Sequence, residues 1–158
     1  MKSFALNLLI AVIWLLLNAE PSVGVFVLGF LLGFVLLALF RGVLGSGDYI
    51  RRIYALGRFL LVFASEFLAA NLNMVWIVLF RAKESLDPNF ITYDVTGLKP
   101  FEILLLSYCI SLTPGSTTVE VSDDFKTLVL HTLDVRDAEA VRARLDRVLK
   151  QGLLSFTR

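Results

Sequence analysis

Glu66 is the one acid deep inside an apolar run from Ile53 to Phe80. An ionisable group at membrane depth suits a proton relay or an ion-path partner. Asn71 and Asn73 follow in the same run, and buried amides of this kind also hold transmembrane helices together. On a helix, Arg58, Ser65, Glu66 and Asn73 fall near one stripe at spacings of seven or eight residues. The stripe predicts an amphipathic helix whose acid stays wet, an ordinary role for Glu66. Two further groups stand out by spacing. Gly29 and Gly33 share one helix face and allow a neighbouring backbone close approach. Thr113, Pro114 and Gly115 make a structural turn, because proline fixes one dihedral and glycine permits a positive φ.

Catalytic chemistry needs convergent titratable groups, and the inventory is thin. His131 and Cys109 are the only residues of their kinds. A lone histidine in a strand supplies too few ligands for a metal site, and a lone cysteine in an apolar helix reads as an inert core thiol without an internal disulfide. Gly42, Gly45 and Gly47 do not lie between a strand and a helix, so they form a linker rather than a phosphate loop. The last 78 residues carry ten basic and eleven acidic side chains, a balance that argues against a nucleic-acid surface. No catalytic, cofactor-binding or metal-ligating residue is assigned, and an enzyme is not expected.

The elements that position these groups follow from an asymmetry of charge. The first 80 residues hold eight charged side chains and the last 78 hold twenty-one, which divides the chain into a bilayer part and a water part. A span needs about 20 apolar residues, with about 17 as the lower bound. Residues 23–40 meet this. Residues 4–18 are read as a second span, with Lys2 reaching back toward the head groups. Pro21 and Gly24 mark the turn between them, so residues 1–47 are expected to form a transmembrane helical hairpin. A cleaved signal peptide is the rival reading, opposed by the absence of a small-x-small pattern in Asn18-Ala-Glu-Pro-Ser22.

Arg41, Arg51 and Arg52 oppose Asp48 alone in the next segment, and basic short loops stay cytoplasmic. Residues 48–81 could form a helix about 50 Å long, too long for a simple crossing. It is therefore expected to lie in the membrane plane or to tilt steeply. Arg81 and Lys83 then remain on the cytoplasmic side with the other basic residues, as does everything that follows.

Residues 85–158 suffice for one small domain. Phe90–Val95 alternates as a strand does. Pro100 opens an apolar helix through Ser111, whose all-round apolarity indicates deep burial. Thr117–Val121 and Thr127–Leu133 make a hairpin across Ser122-Asp-Asp124. Asp134 or Asp137 then caps a final helix whose apolar face is Val141, Leu145, Val148 and Gly152. The expected fold is thus a membrane α-helical N-terminal hairpin, a long interfacial or tilted helix, and a small α+β (βαββα) cytoplasmic domain.

Two stretches carry a family resemblance. Ser107-Tyr-Cys-Ile-Ser-Leu-Thr-Pro-Gly-Ser-Thr-Thr-Val119 and Leu130-His-Thr-Leu-Asp134, behind an apolar N-terminal half, resemble the E-type subunits of the Mrp-type multisubunit cation/proton antiporters over essentially the whole chain. The resemblance implies an accessory component of a bacterial inner-membrane complex that exchanges Na+, and in some branches K+, for protons. It also implies partners: large antiporter-like subunits that hold the main ion path, and small hydrophobic subunits against which the hairpin would pack within the lipid bilayer. The residues themselves leave two other readings open, a free-standing membrane-anchored adaptor or sensor with a cytoplasmic protein-binding domain, and a direct ion-conducting component that uses Glu66.

Overall fold

A computed structural model describes residues 2–158, with Lys83 described in its backbone alone. The chain separates into two packed units, residues 1–54 and 55–158.

The first unit is helical. Helix α1, Lys2–Leu17, packs against α2, Val23–Leu39. Ser22 closes the turn by accepting from the Val25 amide through its Oγ at 3.3 Å, which satisfies one of the donors left free at the start of a helix. Both helices are apolar on nearly every side, so large side chains such as Leu9, Ile13, Leu28 and Leu31 remain exposed. With 16 and 17 residues, they sit at or just under the length that crosses a bilayer. A single helical turn, α3 (Arg41–Leu44), ends at Gly45 in the left-handed region with φ 59°, where glycine costs no Cβ strain.

Helix α4, Gly47–Phe80, runs for 34 residues and is long and apolar enough to cross a membrane by length and composition. The segment that the sequence sets apart as 48–81 is divided by its packing. Residues up to Tyr54 cluster with the first unit, and those from Ala55 cluster with the second.

In the second unit, strands β1 (Asn89–Asp94), β2 (Ser116–Val121) and β3 (Thr127–Thr132) form an antiparallel sheet in the order β1-β3-β2. The helices are α5 (Pro100–Leu112), α6 (Ala138–Leu145) and α7 (Gln151–Thr157). Asp137 caps α6 by accepting from the Ala140 amide at 2.9 Å. A wide turn over Asp146–Lys150 joins α6 to α7, so the final helical segment is continuous but not uniform. Alternation along the strands sends Ile91, Tyr93, Leu128, Leu130 and Thr132 to the buried side of the sheet. The apolar members of this set meet Ile103, Leu106, Cys109 and Ile110 of α5, Leu149 and Leu153 of the C-terminal helices, and Phe59 of α4.

Two expectations are corrected here. Helix α5 is not buried all round: Phe101, Leu104, Tyr108 and Leu112 stay exposed on its far side, because the sheet and C-terminal helices cover one face only. The stripe expected on α4 is exposed at Arg58, Ser65 and Asn73 but not at Glu66. From Ala55 onward the covered positions include Phe59, Phe63, Glu66, Ala70, Met74 and Ile77, at spacings of three and four, and Glu66 belongs to that covered face.

Candidate functional site

Glu66 reaches from the covered face of α4 to Arg144 on α6, and the two side chains form an ion pair. Its carboxylate is half-buried and already engaged by a guanidinium, so its charge is compensated at once. The helix places Asn73 two turns further along, exposed at the rim of the same region. Asn71 turns inward on its own helix, its Nδ2 donating to the Phe67 carbonyl at 2.7 Å.

The turn after α5 comes to this place from the other side. Thr113 stops the helix by donating from Oγ1 to the Cys109 carbonyl at 2.6 Å. Gly115 follows with φ 100°, a value that favours glycine. Its carbonyl accepts from the Leu133 amide at 2.8 Å, which ties the turn to the end of β3. Thr113, Pro114, Gly115, Glu66 and Asn73 therefore meet around one cavity of about 200 Å³, with Met74, Ile77, Leu133, Val141, Leu145 and Val148 as apolar wall.

Two more polar neighbours stand there: Thr132, to which the residue pattern assigns no role, and Asp134, a cap candidate whose place at the start of α6 is taken by Asp137. Thr132 lies on the inner side of the sheet at the end of β3, 7% exposed, and its Oγ1 has no hydrogen-bond partner. Asp134 lines the cavity and accepts from Arg81 at 2.8 Å and from Arg136 at 2.9 and 2.7 Å. The Arg136 and Arg81 guanidiniums hold the Asp134 carboxyl down at about 2.

Elsewhere in this unit Glu102 is 1% exposed. It accepts from the Lys99 amide at 2.8 Å, from Thr157 Oγ1 at 2.9 Å and from Arg158 at 3.2 and 2.9 Å. The Arg158 guanidinium leads these partners in holding the Glu102 carboxyl at about 2. The Pro100-Phe-Glu102 start of α5 was its available signal, since an acid at the third helical position caps the preceding amide. His131 lies on the outer side of the sheet with its ring 5.0 Å from that of Phe90. Cys109 is buried, and burial pushes its thiol up. Among the described residues, no group of three or more His, Cys, Asp or Glu is placed to hold a metal ion.

In the first unit, Gly29 and Gly33 face α1. A Cβ on Gly29 would stand 2.8 Å from Trp14 Cβ, and one on Gly33 would collide with Asn7 Oδ1. Asn7 is fully buried beside Gly33, its Nδ2 donating to the Tyr49 hydroxyl at 3.0 Å, while its Oδ1 is left without a partner. This amide was not singled out either, because one Asn in a short apolar helix carries no spacing signal.

The family model for MNHE, Na+/H+ ion antiporter subunit, matches residues 7–155. The chain belongs to this antiporter-subunit family. The E1 component of a Na(+)/H(+) antiporter from Staphylococcus epidermidis is 34% identical over 152 residues, covering 94% of this chain and 95% of the relative. The protein of the same name from Staphylococcus saprophyticus is 32% identical over 151 residues, covering 92% of each. Two solved structures share the fold. A chain in the Mrp complex from Dietzia sp. DQ12-45-1b matches 65% of this chain and 96% of its own length at 23% identity, with a TM-score of 0.51. A chain of the membrane-bound sulfane sulfur reductase, an archaeal respiratory membrane complex, matches 96% of both chains at 19% identity, with a TM-score of 0.58. Membership places the chain among the subunits of ion-transporting membrane antiporters. The family match spans both packed units, so the cavity and the glycine face both lie within the matched region.

Proposed function

We propose that this chain is an accessory subunit of a multisubunit monovalent cation/proton antiporter in the bacterial inner membrane. It exchanges no ions itself and braces the subunits that do. The relatives are named as antiporter subunits, and one structural counterpart lies in an Mrp complex. The observation that carries the accessory role is the Glu66–Arg144 pair. The acid best placed by sequence to relay protons is engaged by a guanidinium on the side of α4 that packs on the α+β layer.

The faces of α4 support a bracing role. From Ala55 on, one face holds part of the core of the second unit, while Leu61, Leu68, Leu72, Val75 and Val78 are exposed on the others. A segment with charged α6 against one side does not fit immersion in hydrocarbon all round. We place it in the membrane plane, apolar face toward lipid or toward hydrophobic partner subunits, with α1 and α2 as the two spans. The basic residues Lys2, Arg41, Arg51 and Arg52 then put the α+β layer in the cytoplasm.

Reconstitution tests the role. The purified chain in vesicles is expected to move neither Na+ nor protons, and in native gels of solubilised membranes it is expected to migrate with a large assembly. Ion exchange by the chain alone, or migration as a free species, would overturn the assignment. Cysteines introduced after residue 85 are expected to resist impermeant reagents in intact cells; labelling from outside would reverse the orientation.

A further inference from the structure

We propose that the exposed face shared by α5 and the end of β2 docks a cytoplasmic segment of a neighbouring membrane subunit, with apolar side chains for its stripe and Lys or Arg for its acidic end. The inference rests on the accessory role and cytoplasmic placement proposed above, and it names a surface and a partner chemistry for them.

Phe101, Leu104, Tyr108 and Leu112 follow one another at steps of three and four along α5, so they form one stripe. Each is more than half exposed. Strand β2 lies against the same helix. The Thr118 amide donates to Ser111 Oγ at 3.1 Å, and Thr118 Oγ1 donates to the Ser107 carbonyl at 3.4 Å. Thr118 and Glu120 flank a bulge, and Val119, Glu120 and Val121 are exposed in succession. Both faces of this strand end are therefore uncovered. The opposite edge of the sheet is closed. There Arg142 Nε donates to the Thr92 carbonyl at 2.8 Å, and Lys150 Nζ donates to the Asp94 carbonyl at 3.0 Å. A grouped apolar surface on one side of an otherwise packed layer marks a contact site.

Charge selects the occupant. Glu120 and Asp123, both exposed, have no ion-pair partner among the described residues, while Asp124 has Lys126. The cytoplasmic leaflet is itself anionic, so these acids disfavour docking on lipid. A second copy would bring the same acids to a two-fold contact and set like charges opposite one another. Loops on the cytoplasmic side of membrane proteins are rich in Lys and Arg, and a segment of that kind meets both the stripe and the acids.

The intact antiporter complex, purified with this chain in it, tests the proposal. The photoreactive residue p-benzoylphenylalanine replaces Tyr108 or Val119, one at a time, and adducts formed on irradiation are mapped by mass spectrometry. A differently tagged second copy of the chain is co-expressed to reveal self-adducts. At both positions adducts are expected on cytoplasmic segments of other subunits that carry Lys or Arg beside apolar residues. Glu120→Lys combined with Asp123→Lys is expected to lower the yield of these adducts roughly tenfold. The purified double variant is expected to melt as the wild type does, since neither acid has an ion-pair partner to lose. Adducts with lipid or with a second copy, or none at all in a complex that retains the chain, would overturn the proposal and leave the accessory role standing. So would adducts that the double charge reversal leaves at full yield. A chain that does not purify with other subunits, or that is labelled after residue 85 from outside intact cells, would overturn the accessory or cytoplasmic reading, and this proposal with it.

Discussion

Gly33 and Leu106 mark opposite ways of bringing two helices or layers together. In the α1–α2 unit the approach depends on a missing side chain, because any Cβ at Gly33 meets Asn7. In the second unit it depends on side chains that are present, with Leu106, Ile110, Leu128 and Leu130 all fully buried. With α1 and α2 placed in the membrane as proposed above, water explains the contrast. A layer in contact with water gains about 25 cal/mol for each Å² of apolar surface it hides. Apolar helices surrounded by lipid gain little in that way and rely on close van der Waals fit and a few polar contacts. Large-to-small changes should therefore hurt the second unit, and small-to-large changes the first.

The largest effect is expected for Leu106→Ala. Truncating a fully buried leucine costs about 2–5 kcal/mol. Hydrogen exchange at α5 and β3 amides should speed up accordingly, and an unchanged exchange rate would show that α5 is not the centre of that layer.

Next comes Glu102→Gln, where charge-assisted hydrogen bonds of roughly 1.5–3 kcal/mol are at stake. The acid form behaves in the same direction. The folded-state carboxyl is depressed to about 2 from 4.5, so the unfolded chain binds more protons between those values. The stabilisation is complete above about pH 4.5 and is lost as pH falls toward about 2. Asp134, lowered from 3.8 to about 2, adds to the same slope from below about pH 4. Thermal melts of the wild type from about pH 5 down to about pH 2 should show this decline, and Glu102→Gln should flatten part of it.

Much of this architecture was legible because its causes are local. Pro100 starts α5, Thr113-Pro-Gly115 ends it, and alternation marks each strand, so the order strand, helix, strand, strand, helix could be read in sequence. The pairing of Glu66 with Arg144 could not, since 78 residues separate them. The covered face of α4 was hidden for another reason. Phe59, Phe63, Ala70, Met74 and Ile77 repeat at helical spacing, but Leu60, Leu61, Leu68, Leu72 and Val75 are just as apolar, so the pattern showed only where polar residues interrupted it. Thr132 was obscured by its type, because threonine is ordinary in strands and only the sheet register sends it inward.

A smaller effect is expected for Gly33→Ala, about 1–3 kcal/mol, since overpacking forces local shifts. Gly29→Ala should act in the same direction against Trp14. Both are read by proteolysis or hydrogen exchange of α1 and α2 in detergent. If Gly33→Ala were neutral while Gly33→Ala with Asn7→Ala were no better, the close approach would not organise this unit, and the contrast with the second unit would dissolve.

The smallest expected effect belongs to Glu66→Gln. Arg144 is 57% exposed, and a pair this open to solvent contributes only about 0–1 kcal/mol. Glutamine keeps the size and the hydrogen-bonding oxygen, so the second unit should melt within that margin of the wild type. Antiport by the assembled complex should also persist, because the charge that is removed was already neutralised by its partner. A complex that assembles normally yet loses proton-coupled exchange with Glu66→Gln would show that the pair opens during turnover. The covered face of α4 would then be part of an ion path and not of a brace.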